Sequence, residues 1–457
     1  MYHQKQHRGW FVIIFSCLWI LVSESYAENS EEATKNQQVP MEDVQRFSNA
    51  INLIKKYYVK PIDDKELFDN AIRGMLSGLD PHSMFLDEES FNELQTSTSG
   101  EFGGLGLEVT MEEGVIKVVT PLIDTPAFKA GIKSGDYIIK LGTTSVQGLS
   151  LKDAVTMMRG KEGSPITLTV LRKGVSKPLV FKVVREKILI KSVKSELYDN
   201  GYGYVRLSQF QAGTADDMDK AIKQLQKQAH GELKGLILDL RNNPGGLLDS
   251  AIQVSDAFIT SNLKGKKEII VYTQGRLPGS HFTAVAKPGD ILHNAPMVIL
   301  INNGSASAAE IVAGALKDNK RAIIVGTRSF GKGSVQTVLP LDEKTAVKLT
   351  TALYFTPAGV SIQAKGITPD IVIEEMKVGK TDPDQMDGFG FSEAELNGHI
   401  QNANKISEKT AASSQPQSSN DANAVSAKNT ADDSLLHKDY QLYTALTILK
   451  GLAVAKK

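Results

Sequence analysis

Between Met297 and Gln336 the hydrophobic pattern changes twice, and this constrains the fold more than any other stretch of the chain. Met297–Ile301 is a continuous apolar run, as in a buried strand. It gives way to a small-residue turn, Asn302–Ala306, and then to helical spacing from Ala308 to about Leu316, with Ile311, Val312, Ala315 and Leu316 on one face. A second apolar strand, Ala322–Val325, delivers the chain to Ser329-Phe330-Gly331-Lys332-Gly333. Strand, turn, helix, strand and loop form an α/β arrangement that can bring a serine and a lysine together.

Ser307 is the candidate nucleophile and Lys332 its candidate base. A serine hydroxyl is a weak nucleophile until a neighbour takes its proton. Lysine does this only when neutral, so its pKa must fall well below about 10.4; burial in an apolar pocket lowers it. The glycines beside Lys332 allow close backbone approach, and Phe330 and Val335 can keep the site dry. Gln336, four residues on, shares a face with Lys332 in an extended strand, where its amide can orient the amine.

Other readings of these residues stand beside this one. Ser307 with Glu310 fits a capping box ahead of an apolar helix, and the two roles can coexist, since a helix N-terminus also favours developing negative charge. Spacing alone does not separate Ser307 from Ser305. Gly326–Gly333 approaches a phosphate loop, but glycine stands where Ser or Thr should supply the magnesium ligand and a strand pattern follows, which argues against an NTPase.

The stretch closely resembles the carboxy-terminal processing peptidases, serine proteases with a serine–lysine site and an embedded PDZ domain. Ser307, Lys332 and Gln336 match the family's nucleophile, base and supporting glutamine, so the resemblance selects Ser307 over Ser305. It runs from about Met41 to Glu375 and includes Leu238-Asp239-Leu240-Arg241-Asn242-Asn243-Pro244-Gly245-Gly246. That stretch implies an oxyanion hole of the Gly245 and Ala308 N–H groups; by itself it reads as a tight turn that needs glycine. The resemblance implies an α/β fold with a crotonase-like β-α protease core, an inserted PDZ domain and a helical N-terminal region.

Glu101 to about Arg185 resembles the PDZ module. Gly103-Gly104-Leu105-Gly106-Leu107 matches its carboxylate-binding loop, where successive N–H groups around Gly104 and Gly106 can hold a peptide terminus. Leu105 and Leu107 are expected to line the pocket for the last side chain. Ser150 is expected to cap a helix over Leu151–Met158, with Ala154, Val155 and Met158 toward the groove, and Arg159 at its end to relay peptide binding.

Elsewhere, Met41–Leu94 has helical spacing broken at Asp80-Pro81-His82-Ser83, with His82 read as structural. Thr214 with Asp217 is expected to cap a helix whose Met218, Ile222 and Leu225 face inward, and Asp239 with Arg241 to form a structural ion pair. The segment from about Asn402 to Asp433 has few apolar residues and is expected to be disordered. Leu435–Val454 regains helical spacing and must dock on the protease or on another subunit.

Lys+Arg and Asp+Glu both total 52 in 457 residues, so nothing in the charge balance points to nucleic acid or a polybasic membrane surface. The single cysteine, Cys17, lies in an N-terminal apolar run, Trp10–Val22. Lys5, His7 and Arg8 precede that run, Ser25-Tyr26-Ala27 follows it, and at about thirteen residues it falls short of the roughly twenty that span a bilayer. The expectation is a signal peptide cleaved after Ala27 and export to a periplasm; the alternative is an uncleaved anchor. The expected division is therefore signal peptide 1–27, leader 28–40, helical region 41–96, PDZ domain 97–186, protease core 187–376, linker 377–434 and C-terminal helix 435–457. No metal and no cofactor are expected. The expected partners are proteins with exposed C-termini, an activating adaptor and further copies of the chain.

Overall fold

A computed structural model describes residues 39–199, 201–260, 268–376, 393–400 and 435–455. The expected signal peptide, Cys17 and the segment expected to be disordered lie outside these residues. The chain divides into two units, Met1–Gly74 and Met75–Lys457. In the first, helix Met41–Tyr57 buries none of its residues and leaves Val44, Phe47 and Ile54 exposed.

The second unit is built around a six-stranded sheet. Its order is Val193–Tyr198, Tyr202–Leu207, Gly235–Asp239, Met297–Ile301, Ile323–Gly326 and Ile371–Val372. Only the first pair is antiparallel. Gly235–Asp239 and Met297–Ile301 are buried at every position, as central parallel strands covered on both faces should be. Their side chains alternate between two cores. Leu236, Leu238, Ile299 and Ile301 face helices Thr214–Gln228, Leu248–Asp256 and Ala308–Asp318. Ile237, Val298, Leu300 and Val325 face the C-terminal helix Tyr440–Ala455, through Leu442, Ala445, Leu446 and Leu449.

The C-terminal helix thus returns to its own protease core. The Arg241 guanidinium anchors it, donating to both carboxylate oxygens of Asp439 at 2.8 and 2.7 Å. The same guanidinium pairs with Asp239, as read from the sequence. Helix Thr214–Gln228 does turn Met218, Ile222 and Leu225 inward, but Thr214 is not its cap. Gly213 occupies the cap position, and the buried Thr214 hydroxyl accepts the Gln211 N–H and bonds Ser192.

A second, antiparallel sheet has Ala346–Phe355 at its centre, flanked by Met84–Leu86, Ile269–Gly275 and Ser334–Pro340. The intervening module leaves the core through Glu101–Gly104 and returns through Glu186–Leu189, two strands that pair with each other. Between them the strands run in the order Leu107–Glu112, Val115–Pro121, Tyr137–Leu141, Pro165–Leu171 and Leu179–Val184, with Leu107–Glu112 on an open edge. Ser150 caps helix Leu151–Met158 with a complete Ser150–Asp153 capping box, as the spacing predicts.

Candidate active site

The turn after Met297–Ile301 is held by side chains. The buried Ser305 hydroxyl donates to the Leu240 carbonyl (2.8 Å) and accepts the Asn302 N–H (3.0 Å). Ser305 is therefore a turn brace. Ser307 follows at φ 53°, ψ −114°, a conformation that L-residues rarely adopt. Ser307 lines a cleft of about 540 Å³ shared with Ala308, Gly245, Lys332, Gln336 and Lys348. A larger concavity of about 1100 Å³ lies between helix Glu88–Ser99 and the end of the module's helix, and none of these residues lines it.

Glu310 organises this cleft. Its fully buried carboxylate accepts the N–H groups of Ser307 (2.8 Å), Gly331 (2.8 Å) and Lys332 (2.9 Å), and the Ser329 hydroxyl. The capping-box reading captured only the first of these bonds. One side chain thus fixes the backbones of both the candidate nucleophile and the candidate base. Burial raises its pKa to about 7, against the pull of those donors.

Burial also lowers the pKa of Lys332, to about 8, and the nearby ammonium of Lys348 lowers it further, against the raising effects of Glu393, Glu310 and Asp80. Tyr354 lines the same cleft as the two candidates, and its hydroxyl donates to the Lys332 carbonyl. Ser307 and Lys332 line the same cleft without a direct hydrogen bond between their side chains. Gln336 lines it too, but its amide donates to Ser334 (3.0 Å) and Thr350 (3.3 Å) and not to the lysine. The strand begins only at Ser334 and shifts register between Val335 and Gln336, so the shared extended face with Lys332 does not form.

The Ala308 N–H, at the first position of its helix, has no intrahelical acceptor and is free to bind an anion. Gly245 sits against it: a Cβ at Gly245 would lie 3.1 Å from the Ala308 nitrogen and 2.9 Å from the Ser307 Cβ. The close approach requires glycine. In this conformation the Gly245 N–H is held by Asn243 Oδ1 at 2.9 Å, so that half of the expected pair is occupied.

In the inserted module, Leu105 is 3 % exposed and is buried in one core cluster with Ala154 and Met158. Leu107 is half-buried and stands at the start of the open edge strand. Gly106, at φ 74°, lies so close to Thr125 that any Cβ would collide with it. Gly104 ends the strand that enters the module. The Arg159 guanidinium lies over the Phe102 ring, 4.8 Å from its centroid. His82 is no base for Ser307: its ring is bonded to the buried Glu393 carboxylate.

Comparison with known proteins adds three matches along the chain. Residues 201–373 match peptidase family S41, 103–183 match the PDZ domain, and 15–90 match the activating protease CtpB N-terminal domain. A carboxy-terminal-processing protease of Bartonella bacilliformis is 49% identical over 391 residues, covering 85% of this chain and 86% of that one. The carboxy-terminal processing protease CtpA of Bacillus subtilis is 38% identical over 330 residues, covering 72% and 68%. Among solved structures, a photosystem II D1 C-terminal processing protease aligns at 33% identity with a TM-score of 0.42, covering 71% of this chain and 86% of that one.

Proposed function

Because the chain belongs to the carboxy-terminal processing proteases of peptidase family S41 and is a serine-type peptidase carrying a PDZ domain, we propose that it cleaves peptide bonds with Ser307 as nucleophile and Lys332 as general base. The observation that carries this reading is Glu310, whose single carboxylate binds the backbone N–H groups of both residues at the edge of one cleft. With a pKa of about 8, a useful fraction of Lys332 is neutral near pH 7. Its amine takes the proton as Ser307 Oγ attacks the scissile carbonyl. The developing oxyanion is stabilised by the Ala308 N–H, and by the Gly245 N–H once that group turns from Asn243. The Lys332 ammonium then protonates the leaving amine, and water, deprotonated by the same lysine, releases the acyl group. Gln336 supports the amine after its amide leaves Ser334 and Thr350.

The PDZ domain engages substrate C-termini. Its open edge strand Leu107–Glu112 accepts an extended peptide, whose carboxylate is bound in the Gly104–Leu107 loop. The basic, apolar and small-residue order of the N-terminus supports export to the periplasm and action on envelope proteins. The N-terminal match to an activating protease, with the exposed apolar residues of helix Met41–Tyr57, supports an adaptor or a second copy of the chain as partner.

The test is mass spectrometry of an unfolded protein substrate incubated with the mature enzyme and with Ser307→Ala, with and without a candidate adaptor. Cleavage by the wild type and none by the variant is expected. Equal cleavage by both would remove Ser307 from the mechanism.

A further inference from the structure

Lys332 sits on a four-residue loop, Phe330–Gly333, whose backbone polar groups are all partnered. The Phe330 N–H donates to Ser305, and those of Gly331 and Lys332 donate to Glu310. The carbonyls of Gly331 and Gly333 accept N–H groups from Ala364 and Tyr354, and that of Lys332 accepts the Tyr354 hydroxyl. The Gly333 N–H donates to Gln363 Oε1 at 2.8 Å. All of these partners lie within the segment that matches the peptidase family, which ends at residue 373. The last partner comes from beyond it: the Phe330 carbonyl accepts the N–H of Glu393 at 3.1 Å.

The side chain of Glu393 acts on the same loop by a second route. Its fully buried carboxylate accepts the amide N–H of Gln363 at 2.8 Å, which leaves the Gln363 oxygen facing Gly333. A buried carboxylate is costly unless it is paired and hydrogen-bonded. Here the other partner is the ring nitrogen of His82, within 2.9 and 2.8 Å of its two oxygens. The contact reaches further through the His82 turn. Asp80 Oδ1 accepts the backbone N–H of His82 and the hydroxyl of Thr350, and that hydroxyl accepts from the Gln336 amide. Glu393 is thus connected to both ends of the Lys332–Gln336 segment.

We propose that Glu393 is a positioning residue for the lysine base, supplied to the protease core by the segment that follows it. It does not touch the reacting atoms; it fixes where the Lys332 amine stands by holding Phe330 directly and Gly333 through Gln363. The inference rests on the reading of Lys332 as the base. It corrects the expected linker 377–434 at one point, because Glu393 belongs to the structure of the catalytic loop.

The test compares full-length wild type, Glu393→Ala, Glu393→Gln and Lys332→Ala, measuring kcat and KM on a peptide substrate and the rate at which a small fluorophosphonate labels Ser307. A base displaced by about 1 Å costs up to about 100-fold. Glu393→Ala is therefore expected to lose about 10- to 100-fold in kcat and in labelling rate, with KM within about twofold, in a protein that still unfolds cooperatively but at a lowered melting temperature, because Gln363 and His82 lose their acceptor. Glu393→Gln, which keeps an oxygen for Gln363, is expected to recover most of the loss. A kcat within twofold of wild type in folded Glu393→Ala overturns the proposal. If that variant does not fold, Glu393→Met, which fills the volume without an acceptor, is held to the same criterion. The Lys332→Ala arm separates the two readings. If it is inactive while the Glu393 variants are normal, the positioning role alone fails; if it remains active, the serine–lysine reading fails first.

Discussion

The pH dependence of turnover tests the base most directly, because its midpoint follows from the burial of one amine. At pH 7 a lysine of pKa about 8 is neutral in roughly one molecule in ten, whereas one of about 10.5 is neutral in roughly three in ten thousand. The gain is about 300-fold, equivalent to about 3 kcal/mol of barrier that an unperturbed lysine would add. The value of kcat/KM should therefore rise nearly tenfold between pH 6 and 7, pass its midpoint near 8 and level off above about 9. Glu310 adds a second feature. Its carboxyl protonates below about 7, so it loses acceptor capacity for Ser307 and Lys332 as the pH falls, and the acid limb should steepen there. The assay is initial-rate hydrolysis of a fluorogenic peptide from pH 6 to 10 at constant ionic strength, repeated with Lys348→Met and Lys348→Arg. Removing the Lys348 ammonium relieves a repulsion that adds to burial in lowering the Lys332 pKa, so the midpoint should move to higher pH in Lys348→Met and return in Lys348→Arg. A flat profile between pH 6 and 8 would refute a lysine base of this kind. So would a midpoint that stays in place when Lys348 becomes methionine.

Three further substitutions test the surroundings. Gly245→Ala places a Cβ 2.9 Å from the Ser307 Cβ at a φ of 101°, and should reduce kcat by more than about 100-fold, read by fluorophosphonate labelling. Ser305→Ala removes an acceptor for the Asn302 N–H and a donor to Leu240, and should cost about 1–3 kcal/mol in urea unfolding while Ser307 still labels; loss of labelling in a folded protein would return Ser305 to the mechanism. Asp439→Ala leaves the buried Arg241 without its bidentate partner just before the C-terminal helix and should cost about 3 kcal/mol, whereas an unchanged urea midpoint would mean that the helix does not depend on this pair.

Local patterns survive into the structure where the residues that make them lie close in sequence. The run Met297–Ile301 and the helix after it form where their spacing predicts, as does the Ser150–Asp153 box. Thr214 misled because Thr-x-x-Asp marks a helix start, while the fold uses its hydroxyl for Gln211 and Ser192. Leu105, Ala154 and Met158 read as groove residues because spacing places them on a face without saying how deep it lies. The larger omissions are long-range. Glu310 looks like half of a local cap, but its bonds to Gly331 and Lys332 cross to another loop. Tyr354 is one more apolar position in a strand until its hydroxyl meets the Lys332 carbonyl. Glu393 follows a segment with no hydrophobic periodicity, so nothing in its neighbourhood signals burial.

These long-range residues share a reason for touching backbone and not the amine. A neutral lysine cannot be held by an ion pair, because a carboxylate on its Nζ would favour the ammonium and remove the base. Among the described residues no salt bridge forms at Lys332, although Glu310, Glu393 and Asp80 lie near enough to raise its pKa. Each of these carboxylates directs its oxygens elsewhere: Glu310 to N–H groups and Ser329, Glu393 to His82 and Gln363, and Asp80 to its own turn and Thr350. Their remaining attraction for a proton on Lys332 is opposed by burial and by Lys348, whose own pKa is lowered by burial in the same cleft. The loop is therefore fixed by carboxylates, and the lysine's pKa is held down to about 8 by burial, with a second cation adding to it. Removing that cation raises the Lys332 pKa without loosening the loop, whereas removing the Glu393 carboxylate loosens the loop and takes away an influence that raises the pKa, so Lys348→Met should move the pH midpoint up at an unchanged plateau, and Glu393→Ala should lower the plateau with no upward shift of the midpoint.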